Sequence, residues 1–110
     1  MLEPIKDLSV EVVPQAILNL PVAKVVKNLA TIQSGYDELD RFEGASFKLD
    51  NKVEISVRHY NGHPKNTSTI YIDRSVDGLD SITKLIRQIL NELDVMEQYL
   101  TWERKDDPEL

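Results

Sequence analysis

The stretch A45-S-F-K-L-D-N-K-V-E-I-S-V-R-H-Y60 decides how this chain is read. Ala45, Phe47 and Leu49 alternate with polar residues, and so do Val53, Ile55 and Val57, with Asp50 and Asn51 between the two runs. Alternation with period two is the signature of a half-buried strand. The parity of the two runs then sets the turn. A two-residue Asp50–Asn51 loop would place Leu49 opposite Lys52 and Phe47 opposite Glu54, bringing charge onto the apolar face. A three-residue loop, Asp50–Asn51–Lys52, pairs Leu49 with Val53 instead. A slip of one residue turns every side chain over, so the sequence predicts an antiparallel hairpin with an odd loop and a residue at positive φ in it.

Working outward, S68-T-I-Y-I-D73 reads as the next strand, with Ile70 and Ile72 on one face and Thr69 and Tyr71 on the other. Between these strands lies R58-H-Y-N-G-H-P-K-N66, which holds both histidines of the chain. Asn61-Gly62 and the nearby Pro64 are turn chemistry. The spacing of His59 and His63 would suit a metal on a helix, but this composition opposes a helix and supplies no third ligand. No metal site and no cofactor are therefore expected.

The flanking segments carry helical spacing. From Leu20 to Phe42, residues Val22, Val25, Val26, Leu29, Ile32, Tyr36 and Leu39 recur at steps of three and four, an apolar stripe, with Pro21 suited to the first turn and Gly35 a weak point. From Asp77 to Lys105, Leu79, Ile82, Leu85, Ile86, Ile89, Leu90, Leu93, Met96 and Leu100 form a broader stripe. Asp77 is placed to cap it and Asp80 adds favourable charge in its first turn. L8-S-V-E-V-V13 alternates as a strand that Pro14 would end; it either joins the sheet or runs as an unpaired arm. The expected fold is α+β, in the order β-α-β-β-β-α: a small antiparallel sheet of three or four strands with two helices packed on one face. Residues 1–110 are expected to form a single domain with frayed tails at 1–6 and 105–110.

Composition narrows function by exclusion. The chain has 110 residues, no cysteine and a net charge of −6. Thiolate chemistry and disulfides are excluded. No run approaches the roughly 20 apolar residues that span a bilayer, and the acidic, proline-containing start is unlike a signal peptide, so a cytoplasmic protein with no membrane partner is expected. Charge is uneven: Lys52, Arg58, Lys65 and Arg74 against Glu54 and Asp73 leave residues 51–74 at +2 and the remainder at −8. Asp37, Glu38, Asp40 and Glu43 fall at a helix end beside Arg41 and Gly44, without the alternation of a calcium loop, and read as a solvated acidic face that is also able to meet a basic partner.

The order helix, three strands, helix resembles that of double-stranded-RNA-binding domains. The resemblance stops at the residues that would meet phosphate: S75-V-D-G-L-D-S-I-T-K84 presents two aspartates and one lysine, and an acidic chain repels a phosphate backbone. Nucleic acid is not an expected partner. Ser34, Ser75 and Ser81 stand in no nucleophile context and the four glycines are isolated, so no catalytic residue is assigned. The expectation is a non-catalytic module, an accessory, adaptor or inhibitor subunit, that binds another protein or self-associates through the C-terminal helix. Tyr99 and Trp102 in M96-E-Q-Y-L-T-W-E-R-K105 and the basic segment from Arg58 to Lys65 are its candidate contact residues. The alternative is a binder of an anionic ligand or nucleotide through Arg58, His59, His63, Lys65 and Arg74.

Overall fold

The computed structural model describes residues 2–36 and 40–104. Seven strands form one antiparallel sheet: β1 (Glu3–Ile5), β2 (Val12–Leu18), β3 (Gln33–Tyr36), β4 (Arg41–Lys48), β5 (Glu54–Tyr60), β6 (Ser68–Asp73) and β7 (Leu100–Glu103). Their lateral order is β1-β4-β5-β6-β2-β7, and β3 pairs with the same edge of β4 as β1 does. One helix of substantial length, α2 (Leu79–Leu93), and the single turn α1 (Val22–Val26) complete the fold.

The hairpin is the one its parity requires. Phe47 pairs with Ile55 and Ala45 with Val57. The Leu49 N–H donates to the Val53 carbonyl (2.8 Å) and the Lys52 N–H to the Leu49 carbonyl (2.9 Å). Lys52 holds the positive φ, 73°. Strand β6 spans the predicted residues, with Ile70 and Ile72 fully buried. These residues join Ala16, Leu18, Phe47, Ile55, Ile86, Ile89 and Leu93 in the core.

The expected sheet of three or four strands beneath two helices is corrected at three places. Among the described residues of the segment 20–42, only Val22–Val26 is helical. Lys27, at φ 56°, ends the turn, and Gln33–Tyr36 becomes β3 against β4. The helical stripe does not survive: Leu29 is 41% exposed and Tyr36 81%. Asn28, Thr31, Ser34 and Gly35 are weak helix formers, and Gln33–Tyr36 find ladder partners on the edge of β4 instead. Leu39 lies outside the described residues.

At the C-terminal end the helix stops at Leu93. Asp94 adopts the left-handed conformation (φ 55°, ψ 49°), and its N–H and that of Val95 return to carbonyls of the last turn. This is a Schellman close with Asp in the position glycine usually fills. The Lys27 Nζ donates to the Leu93 and Asp94 carbonyls, each at 2.9 Å, adding a cation where the helix dipole is negative. A 3-10 turn, Glu97–Tyr99, then leads into β7, so Tyr99 and Trp102 lie on a turn and a strand. Ile82, Leu85, Ile86, Ile89, Leu90 and Leu93 of α2 are buried in the core, and at its start Asp77 accepts the Gly78 N–H without capping the helix.

The third correction concerns Pro14, which does not end a strand. It lies inside β2, where the register against β6 shifts between Pro14 and Ala16. Among the described residues β2 has one neighbour here, since the pairing with β7 reaches no further than Ala16 and the Arg104 N–H no further than the Gln15 carbonyl. A bulge on a locally single-sided strand tolerates a missing N–H. Of the predicted strand 8–13, Val12 and Val13 open β2, while residues 8–11 belong to the stretch 6–11 that carries the chain from β1 to β2.

Candidate functional site

Parity sorts the sheet into two faces. Ala45, Phe47, Ile55, Val57, Ile70, Ile72, Ala16 and Leu18 look toward the helices. The opposite face presents Phe42, Gly44, Ser46, Glu54, Ser56, Arg58, Tyr60, Thr69 and Tyr71, all related by register. The segment from Lys6 to Glu11 crosses one end of this second face. Its anchor is Ser9, whose N–H (2.7 Å) and hydroxyl both donate to the Glu54 carboxylate. Glu54 is 4% exposed, and the Ser9 bonds hold its carboxyl below the usual carboxylate range.

At the other end of that face, Arg58 lies between two rings. Its guanidinium carbon is 4.4 Å from the centre of Phe42 and 5.0 Å from that of Tyr71. Nε donates to Ser56 Oγ (2.9 Å) and Nη1 to Tyr60 Oη (3.0 Å). Gly44, opposite Arg58, makes the arrangement possible, because a Cβ there would stand 2.3 Å from the Val57 carbonyl oxygen and 3.1 Å from Arg58 Cγ. Stacking and hydrogen bonds together fix a side chain that is otherwise rich in rotamers.

Two concavities adjoin this cluster. A cleft of about 320 Å³ runs between the Lys6–Leu8 crossing, β3 and the floor formed by Gly44, Ser46 and Ser56, with Arg58 at its side. A smaller pocket of about 220 Å³ is lined by Asp40, Tyr60, Gly62, His63 and Tyr71. In this lining the Tyr60 ring lies 5.5 Å from that of His63 and 6.1 Å from that of Tyr71, with ring planes tilted by 51° and 55°.

The predicted contact residues do not converge on one point. Arg58 and His63 join the aromatic cluster. His59 follows Arg58 on β5 and so faces the other way; its Nε2 lies 3.1 Å from the Pro64 carbonyl oxygen. Lys65 is exposed on the β5–β6 loop. Arg74 follows β6 at the far end of the sheet, where it pairs with Glu11 at 3.0 Å. The five residues proposed for an anion are thus divided between two faces and two ends. Among the described residues no group of three or more His, Asp or Glu side chains is placed to hold a metal ion.

Trp102 meets the cluster by an unexpected route. It pairs with Ile17, Ile17 with Thr69, and Thr69 with Arg58. One row across four strands therefore carries Trp102 and Arg58 on the same face, about 14 Å apart at the usual strand spacing. Trp102 is 45% exposed. Strand β7 is fastened to the helix by Arg87, which donates to both Glu103 oxygens (2.9 and 2.8 Å) and also pairs with Glu97. Tyr99 is half-buried against the core and stands apart from this row.

Phe42, Tyr60, Tyr71 and Asp40 were not among the predicted contacts. The signal for two of them was present: the alternation that sends Val57 and Ile70 inward sends Tyr60 and Tyr71 outward, together with Arg58. Of the acidic patch, Asp40 lines the pocket and Glu43 is exposed on β4, while Asp37 and Glu38 lie outside the described residues.

Comparison with protein-family models, curated proteins and solved structures finds no match to this chain. No helix among the described residues is long and apolar enough to cross a membrane.

Proposed function

We propose that this chain is a non-catalytic binding module that docks another protein on the helix-free face of its sheet, with the cytoplasm as its setting. The observation that carries the reading is the register row Trp102–Ile17–Thr69–Arg58, which sets these residues on that one face. Trp, Tyr and Arg are the residues that most often anchor interfaces. Here they sit on strands and on a stacked side chain, so little freedom remains to be lost on binding. A half-exposed tryptophan on a strand held by an Arg–Glu fork is a rigid apolar anchor with a polar surround.

The test is site-specific photo-crosslinking in native-host extract. A benzophenone residue replaces Ile17 in one protein and Gln88, on the exposed side of α2, in another. Adducts expected from position 17 and not from 88 are identified, and the partner is titrated against purified protein. Trp102→Ala is expected to weaken that complex about 10- to 30-fold. Equal adducts from both positions, or a dissociation constant unmoved by Trp102→Ala, would remove the docking face.

A second reading, a small anionic ligand, draws on the 320 Å³ cleft, where Lys6 and Arg58 stand near the Ser34, Ser46 and Ser56 hydroxyls. A thermal-shift panel of carboxylates, phosphate and nucleotides tests it: a shift abolished by Lys6→Ala supports the cleft, and no shift across the panel sinks it.

A further inference from the structure

The segment Lys6–Glu11 is held differently from the strands around it. We propose that it is a strap that opens as a unit, separately from the sheet, with the Ser9–Glu54 contact as its latch and the floor of the 320 Å³ cleft as what it gates.

Its ends are fixed and its middle is lightly attached. At one end β1 pairs Ile5 with Ser46. At the other the Glu11 carbonyl accepts the Arg74 N–H (2.9 Å), and its carboxylate pairs with Arg74 (3.0 Å). Between them, among the described residues, the hydrogen bonds from strap to sheet are the two that Ser9 gives Glu54. Leu8 is half-buried, whereas Lys6, Asp7, Ser9 and Val10 are exposed. Lifting the middle therefore uncovers little apolar surface.

What lies beneath is well covered for a face without helices. Glu54 and Ser56 alternate on β5 and share this face, at 4% and 1% exposure. The Ser9 bonds lie over Glu54. Ser56 lines the cleft of which Lys6, Asp7 and Leu8 form one wall. Arg58, held by its stack, donates Nε to Ser56 from within the sheet (2.9 Å), which leaves the strap as the wall able to move. The latch is two-state for an electrostatic reason. A half-lifted strap would leave a buried carboxylate without its donors, which costs more than the latched arrangement or the hydrated, lifted one.

Amide hydrogen exchange of the whole chain reads the latch directly, because the Ser9 N–H is one of its two bonds. The Ser9 amide is expected to be protected about 10- to 300-fold, against about 10⁴-fold or more for Val57 in the middle of the β4–β5 ladder. Ser9→Ala keeps the amide donor and removes the hydroxyl; it should lower protection at position 9 about 5- to 30-fold while Val57 stays protected. The gate has its own readout. The chain contains no cysteine, so Ser56→Cys places a single thiol on the cleft floor. Its reaction with an aromatic disulfide reagent is expected to be slow, to depend little on urea below the unfolding transition, and to quicken about 5- to 30-fold when Ser9→Ala is added. Equal opening equilibria at Ser9 and Val57 would overturn the proposal, since the strap would then leave only with the sheet. An unprotected Ser9 amide would overturn it as well, and so would a labelling rate unmoved by Ser9→Ala.

Discussion

Gly44→Ala is the sharpest test of how the sheet and the site are built. Gly44 is not at positive φ, so its backbone conformation is open to any residue, and local rules predict that alanine stabilises the strand by about 0.4–1 kcal/mol through the unfolded chain. The structure predicts the opposite sign. The added Cβ would lie 2.3 Å from the Val57 carbonyl oxygen, about 1 Å inside the ~3.3 Å at which carbon and a carbonyl oxygen meet. The obstacle is backbone in the middle of the β4–β5 ladder, paired on both sides of this point, so it cannot swing away as a side-chain tip would. Relief requires the two strands to part, with overpacking costs of about 2–4 kcal/mol. For a chain of this size that corresponds to a fall in Tm of about 10–15 °C. The same Cβ also presses on Arg58 Cα and Cγ at 3.1 Å, so the stack on Phe42 and Tyr71 should be disturbed in whatever remains folded. Denaturant titration followed by circular dichroism and by the fluorescence of the single tryptophan, Trp102, measures the change. Gly62→Ala, whose Cβ meets only Asp40 Oδ2 at an ordinary 3.5 Å, should stay within about 0.5 kcal/mol of the parent. A Gly44→Ala protein as stable as the parent, or more so, would refute the close approach of β4 and β5.

Other consequences are as open to measurement. Because Ser9 holds the Glu54 carboxyl below its ordinary value, that group stabilises the fold above the unfolded-state pKa of about 4.3, and the contribution is lost as pH falls through the lowered folded value. Stability should decline more steeply below about pH 4.3 in the parent than in Ser9→Ala, which should itself cost about 1–2 kcal/mol at neutral pH; parallel pH profiles would count against the latch. Lys27→Ala removes the donor to the Leu93 and Asp94 carbonyls and should cost about 1 kcal/mol, whereas Lys27→Gly should recover part of this by relieving a backbone at φ 56°, ψ −130°. The reverse order of the two variants in a urea melt would be inconsistent with that geometry. Glu103→Gln weakens the fork to Arg87 and should free β7 first, seen as faster exchange of the Trp102 and Arg104 amides while those of β5 remain protected. Uniform loss of protection would mean that β7 is not a separable edge.

What could be read from the sequence divides along a physical line. The hairpin was legible because side-chain parity is a local rule with one consistent solution: Leu49 must face Val53, so the loop has three residues with a positive φ among them, which the structure puts at Lys52. The start of α2 was legible for a similar reason, a stripe wide enough that no strand could bury it. The end of α2 was not, because its stop is an aspartate in a position where glycine is the usual sign, and Met96 and Leu100 keep helical spacing by coincidence after the helix has closed. In the segment 20–42 the same coincidence covers a change of structure. Val22, Val25 and Val26 are buried on one helical turn, but Ile32 and Tyr36 continue the spacing on residues whose hydrogen bonds go elsewhere. What decides there is the unpaired edge of β4, a partner distant in sequence that no window of the chain contains.

The candidate site follows the same division, and this is why it was half seen. Arg58, Tyr60 and Tyr71 are outward by the parity that sends Val57 and Ile70 inward, so their common face was implicit in the strand assignments. That Trp102 belongs with them depends on β2 entering the sheet between β6 and β7, which in turn depends on Pro14 being accepted at a bulge. A proline read as a terminator hides the strand, and with the strand hidden the C-terminal residues have only the helix to extend. One misread residue therefore removed β2, left β7 without a partner and separated Trp102 from Arg58. The difference is instructive in sign: proline is costly in a strand paired on both sides, and among the described residues β2 at Pro14 is paired on one. Shifting that boundary restores two strands and the register row on which the docking face stands.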